Sequence, residues 1–122
     1  LKTTTHDFIR MLDNTITWNE QLNPLEKQRI AAAETRRLGL GVMGIADMLY
    51  QLGLEYDSED GIAIIEKVCK VIANVAYRES AELAEEKGAT PIFDYNKYSR
   101  NPFFKEALDD TTKELIKKKG LR

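Results

Sequence analysis

The chain has 122 residues, of which 43% are hydrophobic and 31% charged, and its formal net charge is −2 at pH 7. This length suits one domain, and the apolar content is sufficient for a core. The 18 basic and 20 acidic side chains are interleaved, so neither nucleic acid nor an anionic membrane is an expected partner. A single cysteine excludes an internal disulfide and gives no sign of secretion.

Apolar spacing predicts a first helix over residues 5–18. Its apolar face is expected to carry four side chains: Phe8, Met11, Leu12 and Ile16. Asn23 and Pro24 are typical of a helix start, because Asn caps free amides and Pro is favoured at the first helical position. They predict a second helix that runs to Arg37.

A third helix is predicted over residues 41–51, ending near Gly53, which suits a left-handed terminating position. Apolar side chains cover nearly its whole circumference, and Asp47 is the only charge between Leu38 and Leu54. A helix that is apolar all round is expected to be buried on all sides. The same stretch is interrupted by glycines, so it is read as a core helix and not as a membrane span.

The fourth predicted helix is the longest, at roughly 43 Å for a rise of 1.5 Å per residue. Ser58 or Asp57 is expected to cap its start, and Gly88 to end it. Its apolar stripe is predicted to consist of Ile62, Ile65, Cys69, Ile72, Ala76 and Leu83. On this stripe Cys69 would act as a small buried hydrophobe.

The end of the chain is predicted to be less regular. Residues 89–93 are expected to be extended, because Pro91 disfavours helix at the residue before it. A short turn over residues 94–98 and a last helix over residues 109–119 follow, and no strand alternation is evident. The predicted fold is mostly α: an orthogonal or irregular bundle of about five helices with one long helix.

Residues 39–44 spell the dinucleotide-binding pattern G-x-G-x-x-G. That site requires a strand before the first Gly and a helix N-terminus that receives the pyrophosphate. The preceding residues are helical in character and no second strand follows, so nucleotide binding is not expected. The glycines are interpreted as a break between two helices that lets the backbones pack closely.

The titratable residues do not form a recognisable catalytic set. Asp47, on a helix predicted to be buried, is expected to pair with Arg36 or Arg37 and so fix the angle between the second and third helices. His6 is the only histidine, so a zinc or di-iron ligand set is not expected. We therefore predict no catalytic, cofactor-binding or metal-ligating residue in this chain.

Residues 36–49 closely resemble the large catalytic chain of ribonucleotide reductases. The likeness continues on both sides, at Leu12-Asp13-Asn14, Leu52-Gly53, Tyr56-Asp57-Ser58-Glu59, Ser80, Leu83-Ala84 and Gly88. The wording Gly41-Val42-Met43-Gly44 is more similar to the adenosylcobalamin-dependent class than to the class with an iron-radical partner chain.

The resemblance implies a cytoplasmic radical enzyme that reduces the ribose 2′ position of ribonucleotides for DNA synthesis. In that family the catalytic cysteines, Asn and Glu lie upstream of the matching region, and a phosphate-binding loop lies downstream. The resemblance implies adenosylcobalamin as cofactor of the larger enzyme, with none bound by this section. The chain would be a helical section of a larger α/β barrel, inactive by itself.

The termini support the expectation of a longer polypeptide. The chain begins at Leu1 without an initiator Met and stops at Arg122. The expected partner is the rest of that polypeptide, and the isolated piece is expected to expose an apolar patch or to self-associate. The alternative is a free-standing helical module for protein–protein interaction. Residues 1–122 are treated as one helical domain in either case.

Overall fold

A computed structural model describes all 122 residues, which form seven helices and no strand. In chain order these are α1 (Lys2–Leu22), α2 (Glu26–Thr35), α3 (Ile45–Gln51), α4 (Glu59–Lys87), α5 (Tyr95–Tyr98), α6 (Pro102–Glu106) and α7 (Asp110–Lys119). The mostly α prediction is confirmed. The number of helices is two higher than expected, because α5 and α6 are single short turns.

The long helix α4 is the centre of the structure. It packs against α1 on one side and α7 on another, and α1 also packs against α2. The main core joins α4 to the end of the chain and consists of Ala81, Phe104, Leu108, Ile116 and Leu121. A group of aromatic rings extends this core, with ring centres 5.7 to 6.3 Å apart: Tyr77, Phe93, Tyr95, Tyr98, Phe103 and Phe104.

The ends of α4 form as the sequence predicts. The Ser58 side chain accepts a hydrogen bond of 3.0 Å from the Gly61 amide, which satisfies one of the free amides of the first turn. At position 61 a Cβ atom would lie 2.4 Å from the Glu55 carbonyl oxygen, so only glycine fits there. Gly88 ends the helix with φ 91°, a value that glycine adopts without steric cost.

The first two helices differ from the prediction in their bounds and in their buried face. The buried face of α1 carries Thr5, Ile9 and Asp13, whereas Phe8 and Met11 are 42% and 51% exposed. The other two predicted face residues, Leu12 and Ile16, are half-buried beside Asp13. The prediction is therefore correct at these two residues, but it missed the polar members of the face.

The predicted start of α2 at Asn23 and Pro24 is wrong, because the helix begins at Glu26. The Asn23 backbone N–H donates to the Asn19 carbonyl and so closes α1. The Asn23 side chain then accepts a hydrogen bond of 2.9 Å from the Leu25 amide. Asn23 therefore makes the turn between the helices instead of capping the second.

The prediction that the third helix is buried on all sides is also wrong. α3 begins at Ile45 and not at residue 41, and Leu49 is its only buried residue. Tyr50 is 85% exposed, and Met43, which precedes the helix, is 99% exposed. α3 takes part in none of the extensive helix pairings, so this chain covers α3 at Leu49 and leaves most of its other residues exposed or half-buried.

The predicted apolar stripe of α4 holds only toward the C-terminal end. Leu83 is buried, but Ile62 is 57% exposed and Cys69 is exposed, so the prediction of a buried cysteine is wrong. Apart from Gly61, the buried residues of α4 lie from Glu79 onward. The N-terminal half of α4 has an apolar side that this chain leaves uncovered.

The last part of the chain contains one predicted and one unpredicted short helix. Asp94 caps α5, which lies at the position of the expected turn. Asp109, the first residue of the predicted last helix, is the cap of α7, which begins at Asp110. Sequence analysis missed α6, which Asn101 caps and Pro102 opens. Asn followed by Pro marks the start of α6, whereas the same pair at residues 23–24 does not start a helix.

Gly61→Ala is expected to destabilise the fold by about 1–3 kcal/mol, because the added Cβ would overlap the Glu55 carbonyl oxygen. Gly39→Ala is the matched control, since a Cβ at residue 39 meets no atom within 4 Å and its φ is not in the left-handed region. Urea unfolding followed by circular dichroism measures both. Equal stability of the two variants would contradict the steric argument.

Candidate functional site: the Asp13 ion-pair cluster and its cleft

The most concentrated group of polar side chains surrounds Asp13, which lies on the buried face of α1 and is 2% exposed. Its carboxylate Oδ1 lies 2.6 Å from Arg36 Nη2 and 2.9 Å from Arg122 Nε. Oδ2 lies 2.9 Å from Lys87 Nζ. We call these four residues the Asp13 cluster. It joins α1 to the end of α2, the end of α4 and the end of the chain.

The charge balance of the Asp13 cluster keeps the carboxylate ionised. Burial by itself would raise the pKa of Asp13, but hydrogen bonds from Arg36, Lys87 and Arg122 outweigh it and hold the pKa below its ordinary value of 3.8. Three cations around one anion would leave an excess of positive charge. Glu20 reduces it by accepting a hydrogen bond from Arg36 Nη1.

The cluster overturns the hypothesis that Arg36 or Arg37 pairs with Asp47. Arg36 pairs with Asp13 and Glu20, whereas Arg37 and Asp47 are exposed and form no ion pair. The reason is that α3 is not buried, so the Asp47 carboxylate remains in water and needs no partner. The carboxylate that does need cations is Asp13, on a helix face that the apolar pattern did not select.

A second group of charges joins α1 to α4 at the buried Glu79. His6 Nε2 lies 2.9 Å from Glu79 Oε2, and Arg10 Nε lies 2.6 Å from Oε1 without the alignment of a hydrogen bond. Arg10 also donates two hydrogen bonds to Glu86. The only histidine therefore contacts Glu79, and the arrangement holds two helices together.

A cleft of about 680 Å³ adjoins the Asp13 cluster. Arg36 and Arg122 lie in its wall together with Leu38 and Leu40, which precede α3, and Leu121, at the end of the chain. Thus two segments that are far apart in sequence, residues 37–40 and residues 121–122, line the same space. The guanidinium groups of Arg36 and Arg122 in the wall already bind Asp13, whereas Arg37, also in the wall, is exposed and forms no ion pair.

The glycine-rich residues 39–44 do not form the site that their spelling suggests. The residues before Gly39 are helical through Thr35, and no strand precedes the motif. The interpretation that the glycines allow close packing is wrong within this chain, because a Cβ at Gly39 or Gly41 meets nothing within 4 Å. Gly44 has φ 79° and starts α3, which is a conformational reason for glycine.

The remaining chemical groups are isolated. Cys69 is a single exposed thiol on α4, and no group of three or more His, Cys, Asp or Glu side chains could hold a metal ion. None of the helices has the length and apolar character needed to cross a membrane. The arrangement can position chain segments through buried ion pairs.

Buried ion pairs hold the helices of this chain together, and part of its apolar surface is uncovered. These features define the chain as structural scaffolding. The family model described as "Ribonucleotide reductase, barrel domain" matches residues 1–122. The chain therefore belongs to the ribonucleotide reductase family, in its barrel domain. This confirms the resemblance found at residues 36–49.

Relatives agree with this family. The chain is 38% identical over 93 residues to a vitamin B12-dependent ribonucleoside-diphosphate reductase of Mycobacterium tuberculosis, a match that covers 76% of this chain and 13% of that protein. A protein of the same name from Thermoplasma acidophilum is 40% identical, with 76% and 12% covered. A ribonucleoside-diphosphate reductase subunit alpha of Chlamydia pneumoniae is 37% identical over 117 residues, with 96% and 10% covered. The chain spans only about a tenth of the length of these relatives.

Sequence reasoning missed the role of Asp13, although two signals for it were present. Asp13 follows Thr5 and Ile9 at intervals of four residues, which places it on the same side of a helix. It also lies in the matched Leu12-Asp13-Asn14. What the sequence could not show is that cations from residues 36, 87 and 122 converge on it.

Asp13→Asn is expected to lower the free energy of unfolding by about 3–5 kcal/mol, because it leaves buried cations without their anion. Asp47→Asn is the matched control and should change stability by less than about 0.5 kcal/mol, since Asp47 is exposed and unpaired. Urea unfolding compares the two. A control that is as unstable as Asp13→Asn would contradict the assignment.

The Asp13 cluster also predicts an acid-sensitive stability. Because the folded pKa of Asp13 lies below its unfolded value, its contribution is complete above about pH 4 and is lost as the pH falls through the folded pKa. Asp109, whose pKa the Arg78 hydrogen bond lowers to about 2, acts in the same direction. The stability difference between wild type and Asp13→Asn should therefore shrink as the pH falls from about 5 toward 2. A difference that is constant over this range would exclude Asp13 as its source.

Proposed function

We propose that this chain is a structural section of the catalytic barrel of a larger ribonucleotide reductase. The complete enzyme would reduce ribonucleotides to deoxyribonucleotides for DNA synthesis. The observation that carries the proposal is the match of the barrel-domain model to all of residues 1–122. The matched relatives are reductases many times longer than this chain. This difference in length favours a structural role for the section, which would not contain a complete active site.

Residues 37–44 support the proposed place in a barrel. Barrels are closed sheets, yet this chain has no strand. Residues 36–44 run without helix, turn or bend, and no residue from 37 to 44 donates a backbone hydrogen bond. As a strand, this segment would carry Leu38, Leu40 and Val42 on one face and Gly39, Gly41 and Met43 on the other. We propose that this segment pairs with strands elsewhere in the polypeptide.

The uncovered apolar surface supports the same place. Large apolar side chains are exposed before and within α3, at the start of α4 and along the outer side of α1, as at Val42, Met43, Tyr50, Leu52, Ile62 and Trp18. A protein that works alone rarely leaves so many uncovered. We propose that the rest of the polypeptide covers them, and that the isolated chain self-associates instead.

The subclass proposed is the adenosylcobalamin-dependent one, and two relatives named as vitamin B12-dependent support it. The residues of this chain do not fit that cofactor: the only histidine, His6, contacts Glu79, and Cys69 is a single exposed thiol. The adenosylcobalamin site would therefore lie elsewhere in the polypeptide. The relatives named subunit alpha favour the second candidate, a reductase that works with a separate partner chain.

A cytoplasmic location is proposed for the complete enzyme. Its support is the single cysteine, since proteins of oxidising compartments commonly carry paired cysteines.

The test is made on the complete polypeptide that contains this section. Reduction of ribonucleoside diphosphates is measured with and without added adenosylcobalamin, and with and without a candidate iron-radical partner. The proposal expects activity that depends on adenosylcobalamin alone. Activity that depends on the partner chain would overturn the subclass, and absence of reduction under every condition would overturn the enzyme assignment. The 122-residue chain alone is the control and should be inactive.

A further inference from the structure

Arg36 has an unusual backbone conformation. With φ 42° and ψ 43° it is the only residue other than glycine at positive φ. This left-handed region is unfavourable for a residue with a Cβ, and helices that end in it usually use glycine. Strain of this kind persists only where the surroundings hold the residue in place. At residue 36 the chain leaves α2 and enters residues 37–44.

The side chain of Arg36 explains why the strained backbone persists. Arg36 is almost fully buried, with 6% of its surface exposed, and each of its side-chain nitrogens donates to α1. Nε and Nη2 donate to Asp13 Oδ1, Nη2 also donates to the Asp13 carbonyl and Thr17 Oγ1, and Nη1 donates to Glu20. A glycine would relieve the backbone and lose all of these bonds.

The same carboxylate also holds the end of the chain. Arg122 Nε donates to both oxygens of Asp13, and its Nη1 donates to the carbonyls of Lys87 and Gly88. The Arg122 backbone N–H donates to the carbonyl and hydroxyl oxygens of Ser80. One buried anion thus connects the residue before the 37–44 segment to the residue at position 122, and both segments line one cleft.

We propose that Arg36 is a positioning residue: through Asp13 it fixes the direction of residues 37–44 relative to the chain at Arg122. This rests on the proposed function, in which residues 37–44 form a barrel strand. Strands pair at a spacing of about 4.8 Å, so a segment that is to pair must be presented in one direction and register. The ion pair between Arg36 and Asp13 holds residues 37–44 in that direction and register before they pair with a neighbouring strand.

The test measures distances in the 122-residue chain, in a Cys69→Ser background, with the doubly labelled chain diluted into excess unlabelled chain so that distances between associated copies do not contribute. Nitroxide labels at Val42→Cys and Lys118→Cys report the position of the segment, and labels at Lys67→Cys and Lys118→Cys report the α4–α7 body. Pulsed electron resonance then gives each distance distribution. Arg36→Gly should broaden the 42–118 distribution and leave the 67–118 distribution unchanged. Arg37→Gly is the matched control, because it adds the same backbone freedom one residue later and removes only an exposed side chain without partners. It should leave both distributions narrow.

Several results would overturn the proposal: a 42–118 distribution already broad in the unsubstituted background, one that Arg36→Gly leaves unchanged, or one that Arg37→Gly broadens equally. If Arg36→Gly does not fold, which the 67–118 pair reveals, Arg36→Lys replaces it. Lysine keeps a charge for Asp13 but loses the fork of donors, so it should also broaden the 42–118 distribution, and an unchanged width would overturn the proposal. Because no activity is measured, failure of the reductase assignment leaves this result unaffected and is detected separately.

Discussion

The buried carboxylate of Asp13 is the constraint on which the arrangement of the chain depends. A single anion receives Arg36, Lys87 and Arg122, which belong to three different parts of the sequence. A lone charge in that position would be strongly unfavourable, so the helices can pack only in an arrangement that brings the cations to it. The apolar core between α4 and α7 supplies cohesion, and the ion pairs determine where α1 and the chain ends lie.

The helical fold was largely predictable, because it depends on local signals. Ser58, Gly88 and Asp109 mark helix ends through contacts within a few residues, and they do so correctly. Burial was predicted poorly. The apolar pattern around α3 indicates a covered surface, but the 122 residues do not cover it at Met43 and Tyr50, which are exposed. A sequence pattern records the environment of the complete protein and not of a section.

The candidate site was missed for a related reason. Its members are 23 to 109 positions apart along the chain, and no spacing rule connects residues that meet only in the folded state. Arg36 or Arg37 was expected to pair with Asp47, which was chosen by nearness in sequence, whereas Arg36 pairs with Asp13 and Glu20. The family resemblance was more informative than the charge pattern, because it identified residues 36–49 without requiring their contacts.

The ion pairs between α4 and its neighbours differ in how far water reaches them. Those from Arg10 to Glu86 and from Lys119 to Glu82 and Glu85 involve carboxylates that are 41% to 57% exposed, whereas Asp13 is almost fully enclosed. Dissolved salt screens exposed pairs far more than enclosed ones. Rising ionic strength would therefore loosen the outer edges of α1 and α7 first, while the junction of the chain segments at Asp13 holds. The junction at Asp13 is therefore the part of the chain least sensitive to ionic strength, and it is the part on which the barrel would depend most.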